Sequence, residues 1–513
     1  MTVANAMILV DQTAVPLALP AIMKQFGVST NVAEWVLNAS LLALSGLLIL
    51  GGKLGDVLGR RRIFLLGTVL FTAGSALGGF APAFVFLLAA RVIQGVGGAM
   101  MLPGSVAIVN ASFKASERGR ALGTMGGAAA VAGALGPTIG GALTALSWRL
   151  VLLVNVPLAV VCIAATLASV PAREERARDT HVDVLGALLL CLAIVGLVFG
   201  LTETQDAGFV SVQVLGALVI AVVAAASFVG WEHRTSAPLM NLRLLRRTPN
   251  YLGSTLSQAL AGFAEMGLGL LLPLLLILNL GLNPALAGLA LMPTTLPMVL
   301  LSRVAGNWYD KAGGRPPLVV GFTVLAVSGL ALWAGVGQHD YIALLPGLLL
   351  YGTGLSLVLT VNDPVSLDSV ADGESGEVSG VSATAEQAGG AVGIAGLYAI
   401  FHSVYVHRLN YLIDTGPLHD LTAREGQQLK AALQAAEQTG LSPHRFNPAL
   451  VQFLAPAARA SDRGYVAAYL AVTVVALIGV AVVARLVRRP ATSASAVSTE
   501  TTGAGAGEAG TRA

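Results

Sequence analysis

Long apolar segments dominate this sequence and restrict what it can fold into. A helix needs about 20 mainly apolar residues to cross a bilayer, and the chain offers about fourteen such windows. Only 11% of its 513 residues are charged, whereas soluble domains carry about 25%. We therefore expect an all-α membrane protein with about fourteen transmembrane helices. The windows are 3–22, 35–54, 63–80, 84–109, 121–145, 149–170, 184–202, 212–230, 251–279, 285–305, 317–336, 341–362, 378–402 and 464–486.

The distribution of basic residues predicts how these helices are oriented. Arginine and lysine concentrate between windows that share one side of the membrane, and such loops are cytoplasmic by the positive-inside rule. The short loops on the opposite side contain little beyond Lys24 and Arg149. We therefore expect both termini in the cytoplasm, although the acidic loop 363–377 breaks the trend. The basic groups are Lys53 with Arg60–Arg62, Lys114 with Arg118 and Arg120, Arg173 with Arg176 and Arg178, Arg234 with Arg243, Arg246 and Arg247, Lys311 with Arg315, and Arg485 with Arg488 and Arg489.

Two polar segments at the predicted cytoplasmic surface share one spacing. Gly51–Arg62 reads GGKLGDVLGRRR and Gly306–Arg315 reads GNWYDKAGGR, and both contain Gly-x-x-x-Asp-x-x-Gly. We expect each to form a short loop between two helices. The pattern resembles the cytoplasmic loop signature of the major facilitator superfamily, which implies a role in a cytoplasmic gate. The residues concerned are Gly52, Asp56, Gly59, Arg60, Arg61, Gly306, Asp310, Gly313 and Arg315.

The same two segments define an internal repeat. Asp310 follows Asp56 by 254 residues, and this offset carries Asp11, near the middle of the first window, to Glu265, near the middle of the ninth. Transporters built from parallel repeats bind their substrates between the repeats near mid-membrane. We therefore expect an N-terminal six-helix half at 1–170, an inserted helix pair with flanking loops at 171–249 and a C-terminal six-helix half at 250–489.

Two segments lie outside the predicted helices. Residues 404–463 form a long outer loop, in which Thr422 and Glu425 have the spacing of a capping box for a helix that Gly440 ends. Residues 490–513 are rich in Ser, Thr, Ala and Gly. We expect this tail to be disordered in the cytoplasm.

Charged side chains inside the windows mark candidate functional residues. A carboxylate at mid-membrane costs about 2.5–3.5 kcal/mol on insertion scales, so it persists only when it is neutralised, paired or facing water. Asp11 and Glu265 are the main candidates for proton coupling, and Glu386 is a third. Arg91 needs an anionic or carbonyl partner, for which Asp11 is suitable. A fixed ion pair or a helix–helix hydrogen bond is the structural alternative for each.

A polar stripe accompanies Glu265 in the ninth window. Ser254, Gln258, Ala261 and Glu265 fall on one helical face by the 3.6-residue period. We expect Ser254 and Gln258 to line a cavity rather than contact lipid.

The fifth window contains a cluster of small residues with a proline. Gly-Pro-Thr-Ile-Gly-Gly at 136–141 resembles the antiporter signature of drug exporters in that superfamily, with Ala132 where a glycine is usual. Small residues let helices approach closely, and proline bends a helix. Ordinary helix packing is the alternative. The residues that carry the motif are Gly123, Gly136, Pro137, Gly140 and Gly141.

Three further segments carry a family resemblance, and two of them resemble the fourteen-helix drug:proton antiporter branch. Leu9–Pro20 resembles its first-helix signature, with Pro16 where asparagine is usual, and Asn155–Pro157 resembles its sixth helix. Arg91–Gly98 resembles the superfamily's fourth-helix signature, in which such an arginine is linked to proton movement. The resemblance implies a major facilitator fold with two six-helix halves and an inserted helix pair.

The function implied by this resemblance is proton-coupled export of amphipathic drugs, antibiotics or dyes by alternating access. The expected partners are a small-molecule substrate, protons and the lipid bilayer of a bacterial inner (plasma) membrane, without a cofactor, metal or nucleic acid, and with the monomer as the functional unit. Two alternatives remain: export of one endogenous metabolite, antibiotic or lipid, and a non-transporting membrane sensor. The sequence contains no nucleophile–base set or phosphate-binding loop that would predict an enzyme.

Overall fold

The computed structural model describes residues 1–113, 115–170, 183–208, 210–235, 238–370, 375–415 and 454–488. This part of the chain consists of helices joined by short turns, which confirms the all-α fold class. The helices are α1 (Thr2–Phe26), α2 (Thr30–Ala33), α3 (Trp35–Leu58), α4 (Arg60–Gly79), α5 (Phe84–Ser112), α6 (Ala115–Leu146), α7 (Trp148–Leu153), α8 (Asn155–Ser169), α9 (Val184–Ala207), α10 (Val212–Glu232), α11 (Leu242–Arg247), α12 (Pro249–Leu274) with a π-helical turn (Leu275–Asn279), α13 (Pro284–Ala290), α14 (Met292–Ala312), α15 (Arg315–Val336), α16 (Tyr341–Leu367), α17 (Ser375–Thr415) and α18 (Leu454–Leu486).

Among the described residues, fourteen helical segments coincide with the predicted windows. Thirteen are long and apolar enough to cross a membrane, and α7 with α8, α12 with its π-helical turn, and α13 with α14 each make one crossing. The fourteenth is α6, a helix of 32 residues whose apolar portion is Val131–Leu146. We call the membrane side that carries Arg60–Arg62 the basic side, and the opposite one the far side.

The two segments with the repeated spacing are mostly helical, so the prediction of loops was wrong for most of their length. Helix α3 continues to Leu58 and α4 begins at Arg60, and α14 continues to Ala312. The turns are made by Gly59, with φ 105°, and by Gly313, with φ 74°. Glycine adopts positive φ without the steric cost of a Cβ, so one such residue can reverse the chain and the helix need not stop at the membrane surface.

Two other predicted loops are shorter than expected. Helix α16 continues through Asp363 to Leu367, and the Asp363 carboxylate accepts a hydrogen bond from Ser382 of α17. Helix α17 continues to Thr415 and α18 begins at Leu454, which shortens the predicted outer loop 404–463. The predicted loop helix at 422–440 and the tail 490–513 lie outside the described residues.

The offset of 254 residues also relates later helices. Adding 254 to the residue numbers of α4 gives 314–333, and α15 spans Arg315–Val336. Adding 254 to those of α5 gives 338–366, and α16 spans Tyr341–Leu367. Helices α9 and α10 pack on each other, and α9 also contacts α3 and α17. The division into two halves and an inserted pair stays a prediction, which these bounds fit.

A cluster of buried apolar side chains joins the two predicted halves toward the far side. It contains Leu19 and Ile22 of α1 together with Leu271 and Leu275 of α12 and its π-helical turn. This packing places the polar residues of both helices in the protein interior.

Candidate functional site

Asp11 belongs to a buried ion pair. Its Oδ2 lies 2.7 Å from Nη1 of Arg91 on α5, and the two side chains are only 3% and 2% exposed. Arg91 also donates from Nε to the carbonyl oxygen of Val36 at 2.7 Å, which ties it to α3. The ion pair expected from the sequence is therefore present.

Three buried polar side chains complete the surroundings of Asp11. Nε2 of Gln94 donates to Oδ1 of Asp11 at 2.8 Å and to Oγ of Ser75 at 2.9 Å. Nδ2 of Asn155 donates to the same two acceptors at 3.4 and 3.3 Å. Both carboxylate oxygens of Asp11 thus accept hydrogen bonds, and four helices (α1, α4, α5 and α8) meet in one network. Sequence reasoning recognised Gln94 and Asn155 only as parts of motifs and did not identify Ser75.

A second polar site lies where α12 and α17 approach closely. A Cβ on Gly262 of α12 would collide with the backbone carbonyl of Glu386, and a Cβ on Gly393 of α17 would collide with the backbone of Phe263. Small residues permit such close packing of membrane helices. The contact brings Glu386 against the polar face of α12.

Glu386 and Glu265 are neighbours at this contact. Gln258 donates a hydrogen bond from Nε2 to Oε2 of Glu386, and the carboxyls of Glu386 and Glu265 are close enough for their charges to interact. Tyr351 of α16 donates to the backbone carbonyl of Glu265 at 3.0 Å. Within the described residues, Oε2 of Glu265 is buried and accepts no hydrogen bond, although the side chain as a whole is partly exposed.

The polar stripe on α12 is largely covered by its neighbours. Ser254 is fully buried and shares a hydrogen bond of 2.6 Å with Ser366 of α16. Gln258 is 2% exposed. Both residues were expected to line a cavity, but here α16 and α17 lie over this face of the helix and only Glu265 of the stripe's polar residues retains exposure.

Asp363 lies beside the same group of residues, although the sequence analysis assigned it to a loop. Its Oδ1 accepts a hydrogen bond of 3.0 Å from Ser382 of α17, and its charge interacts with that of Glu386. The side chain is exposed, whereas the adjacent Asn362 is fully buried. The predicted window 341–362 ended directly before Asp363, and the acidic composition of 363–377 led to the prediction of a loop.

One hydrogen bond connects the two polar sites. Nε2 of Gln12, next to Asp11, donates to Oε1 of Gln387, next to Glu386, at 2.8 Å. It joins α1 to α17 and hence one predicted half to the other. Neither glutamine was identified from the sequence.

The glycines of the predicted antiporter motif lie at close contacts between helices. A Cβ on Gly140 would collide with the backbone of Ala14 on α1, and one on Gly141 would collide with the carbonyl of Pro284 on α13. Gly288 of α13 makes the reciprocal contact with the carbonyl of Pro137. Gly136 faces Thr13, and Gly123 lies nearer the basic-side end of α6. The motif therefore packs α6 against both predicted halves on the far side.

The predicted gate residues lie at the basic side. Arg60 donates to the carbonyl of Ala107 on α5 at 3.4 Å, and Arg61 donates to that of Leu167 on α8 at 3.2 Å. Asp56 lies in the last turn of α3. These contacts place the first copy of the motif at helix ends, and its gating role stays a prediction. In the second copy, Asp310 and Arg315 are exposed, and Gly306 lies in α14.

Comparison with known proteins identifies the family. The family model described as Major Facilitator Superfamily matches residues 1–394. The chain belongs to the Major Facilitator Superfamily. It is also similar to "Multidrug resistance protein Stp" of Mycobacterium tuberculosis, with 34% identity over 398 residues that cover 77% of this chain and 73% of that protein.

Two further matches agree with this assignment. "Probable actinorhodin transporter" of Streptomyces coelicolor is 32% identical over 430 residues, covering 80% of this chain and 73% of that protein. The crystal structure of a bacterial homologue of the human lysosomal transporter Spinster, in an inward-facing and unoccupied conformation, covers 96% of this chain and 97% of that one with a TM-score of 0.58. At 15% identity it supports the major facilitator fold alone.

Proposed function

We propose that this member of the superfamily is a proton-coupled exporter of amphipathic small molecules that works by alternating access. The observation that carries the proposal is the Glu265 carboxyl, which lies inside a spanning helix with one buried oxygen that accepts no hydrogen bond among the described residues. An acid at this depth is costly to insert. Because the observed contacts do not stabilise its charge, its presence is better explained by a role in transport.

Competition at Glu265 provides the coupling. A proton entering from outside neutralises the carboxyl, and a cationic or polar substrate arriving from the cytoplasm binds the carboxylate after that proton has left. One elementary charge moving through 100 mV releases about 2.3 kcal/mol, which can drive the substrate against its gradient. Exchange is then obligatory, because proton and substrate use the same negative charge in turn.

The helix contacts support alternating access. Gly141 approaches Pro284 closely and Gly288 approaches Pro137 closely, so α6 and α13 are in contact on the far side; in our proposal this contact closes that side between the predicted halves. Loss of this contact would open the interior toward the far side. In this proposal the basic side is the cytoplasm, both termini are cytoplasmic, the monomer carries the activity and the membrane is the bacterial inner membrane.

The names of the relatives support export as the direction of transport. They are compatible with either a broad or a narrow range of substrates. Similarity to a protein named for multidrug resistance supports a broad set of lipophilic, often cationic drugs, antibiotics or dyes. Similarity to a probable actinorhodin transporter supports the second candidate, which is export of one endogenous compound. A non-transporting sensor is the third possibility that an experiment must separate.

Dye uptake into inverted membrane vesicles tests the proposal. We expect energised vesicles with the wild-type protein to accumulate one or more lipophilic cationic dyes and to release them when an uncoupler collapses the proton gradient. Vesicles with Glu265→Gln provide the matched control and should show no proton-driven accumulation. Accumulation of a single compound would support the dedicated exporter, and accumulation that an uncoupler leaves unchanged would contradict proton coupling.

A further inference from the structure

Three carboxyls follow one another from mid-membrane toward the basic side. Ser254 of α12 and Ser366 of α16 share a hydrogen bond, so they define a common level in these antiparallel helices. At 1.5 Å per residue, Asp363 lies about 5 Å farther from the basic side than this level, and Glu265 lies about 16 Å farther. Glu386 lies between them, because Gln258 donates to its carboxyl and Gly262 contacts its backbone.

Adjacent members of this series interact with each other. The charge of Glu265 interacts with that of Glu386, and the charge of Glu386 interacts with that of Asp363. Ser382 holds the Asp363 carboxylate at 3.0 Å. Helices α12, α16 and α17 each contribute one acid, so the arrangement depends on the fold and cannot be recognised from spacing in the sequence.

Buried polar atoms without partners line the same route. Oε1 of Gln258 accepts no hydrogen bond in the described part of the chain, although its Nε2 is bonded to Glu386. Both amide atoms of Asn362 are also buried without a partner there, and Asn362 lies opposite Gln258 by the antiparallel register that Ser254 and Ser366 set. Buried polar groups normally have partners, frequently ordered water. These orphan atoms therefore indicate sites for water or for a protonated carboxyl.

We infer that Glu386 and Asp363 form a proton exit path from Glu265 to the cytoplasm, with Asp363 as its terminal acceptor. The inference rests on the proposed function. The Glu265 carboxyl gives up its proton, directly or through water at Gln258, to the Glu386 carboxylate, and Glu386 passes a proton to the Asp363 carboxylate. Asp363 then releases it to cytoplasmic water, since its side chain is exposed. Glu265 is left as the anion that accepts substrate.

Stopped-flow proton release from detergent-purified protein tests this path. Mixing with ethidium in weakly buffered solution with a pH indicator gives both the amplitude and the rate of release. For Asp363→Asn we expect the wild-type amplitude with a rate on the order of 100-fold lower, which is the lower end of what a positioned acid or base contributes. Formate, a small diffusible carboxylate that can accept the proton in place of Asp363, should restore the rate, which a purely structural role of Asp363 would not permit.

Two further variants keep the test decisive. Asp368→Asn is the matched control, because Asp368 is an acid at the end of the same helix whose partner is Tyr309 of α14, and it should release protons at the wild-type rate. If Asp363→Asn does not fold, Ser382→Ala removes the donor to Asp363 and should slow release in the same direction. Unchanged ethidium affinity establishes that the substrate site is intact.

The outcomes separate the path from the proposed function. A wild-type rate in Asp363→Asn, or a slow rate that formate does not restore, would overturn the exit path while leaving Glu265 as the exchange site. A lost amplitude in Asp363→Asn would also overturn it, because Asp363 would then hold the released proton itself. Absence of release from the wild type would contradict the proposed function and the path together.

Discussion

Asp11 and Glu265 are 254 residues apart and correspond to each other in the predicted repeat, but their surroundings differ. Asp11 faces Arg91 at 2.7 Å, and both of its oxygens accept hydrogen bonds. Glu265 has a second carboxyl as its neighbour and one oxygen that accepts nothing among the described residues. The predicted repeat thus holds an ion pair at the first of its two acids and, in our proposal, a site for proton exchange at the second.

From this difference we infer that the Asp11 site and the Glu265 site have different roles. Proton uptake by Asp11 would leave Arg91 charged and buried without its partner, which is costly in a low-dielectric interior. Proton uptake by Glu265 removes a charge that lies beside a second carboxyl, that of Glu386. We therefore expect the Asp11 site to maintain structure and the Glu265 site to exchange protons, a division that variants at each site can test.

The largest effect on stability is expected from Arg91→Ala. Breaking a buried ion pair by removing one partner costs about 3–5 kcal/mol, and Arg91 also binds the Val36 carbonyl. Arg91→Lys should retain part of the stability, since lysine keeps the charge but lacks the planar fork. Thermal unfolding in detergent measures both, and wild-type stability and transport in both variants would show that the pair is dispensable.

Glu265→Gln provides the contrast on the same stability scale. Within the described residues its carboxyl accepts no hydrogen bond at Oε2, so the variant should unfold within about 1 kcal/mol of the wild type, because it breaks none of the paired networks that produce large losses. A loss as large as that of Arg91→Ala would mean that the two sites are both structural, and the comparison would fail.

A smaller effect is expected where the two halves meet on the far side. Gly141→Ala places a methyl group against the Pro284 carbonyl, and such overpacking costs about 1–3 kcal/mol, or about 5-fold to 150-fold in the ratio of closed to open far side. Spin labels at the exposed positions Leu146 and Leu286, with both native cysteines replaced, should report a longer distance. Gly133→Ala is the control, because its nearest neighbour is a side chain, Leu9 Cβ at 3.3 Å; an equal shift there would contradict this account.

The smallest effect concerns the hydrogen bond between Gln12 and Gln387. A neutral hydrogen bond contributes about 0.5–1.5 kcal/mol, so a double-mutant cycle with Gln12→Ala and Gln387→Ala should give a coupling of that size in the pH midpoint or rate of efflux. A coupling of this size would show that the hydrogen bond links the Asp11 and Glu265 sites energetically during transport. Additive single effects would show that the bond has no role in transport.

The sequence predicted the fold well because hydrophobic periods and repeats are local or regularly spaced. The fourteen windows follow from the lengths of the apolar segments. The cost of a buried charge pointed to Glu265 as a candidate site and to Asp11 as the partner of Arg91. Asp363 and Ser75 were missed, because their contacts are made with helices that are distant in the sequence, and the sequence does not show which helices pack together. The loop boundaries failed for a different reason: a helix can end anywhere that a glycine such as Gly59 reverses the chain.

Substrate-induced proton release from detergent-purified protein tests the central claim most directly. The amplitude per protein, measured on ethidium binding for the wild type, Glu265→Gln and Asp11→Asn, identifies which carboxyl gives up the proton. We predict that Glu265→Gln abolishes the release, while the folded fraction of Asp11→Asn still releases protons on binding. Undiminished release from Glu265→Gln, with loss in folded Asp11→Asn, would contradict the assignment of proton exchange to Glu265.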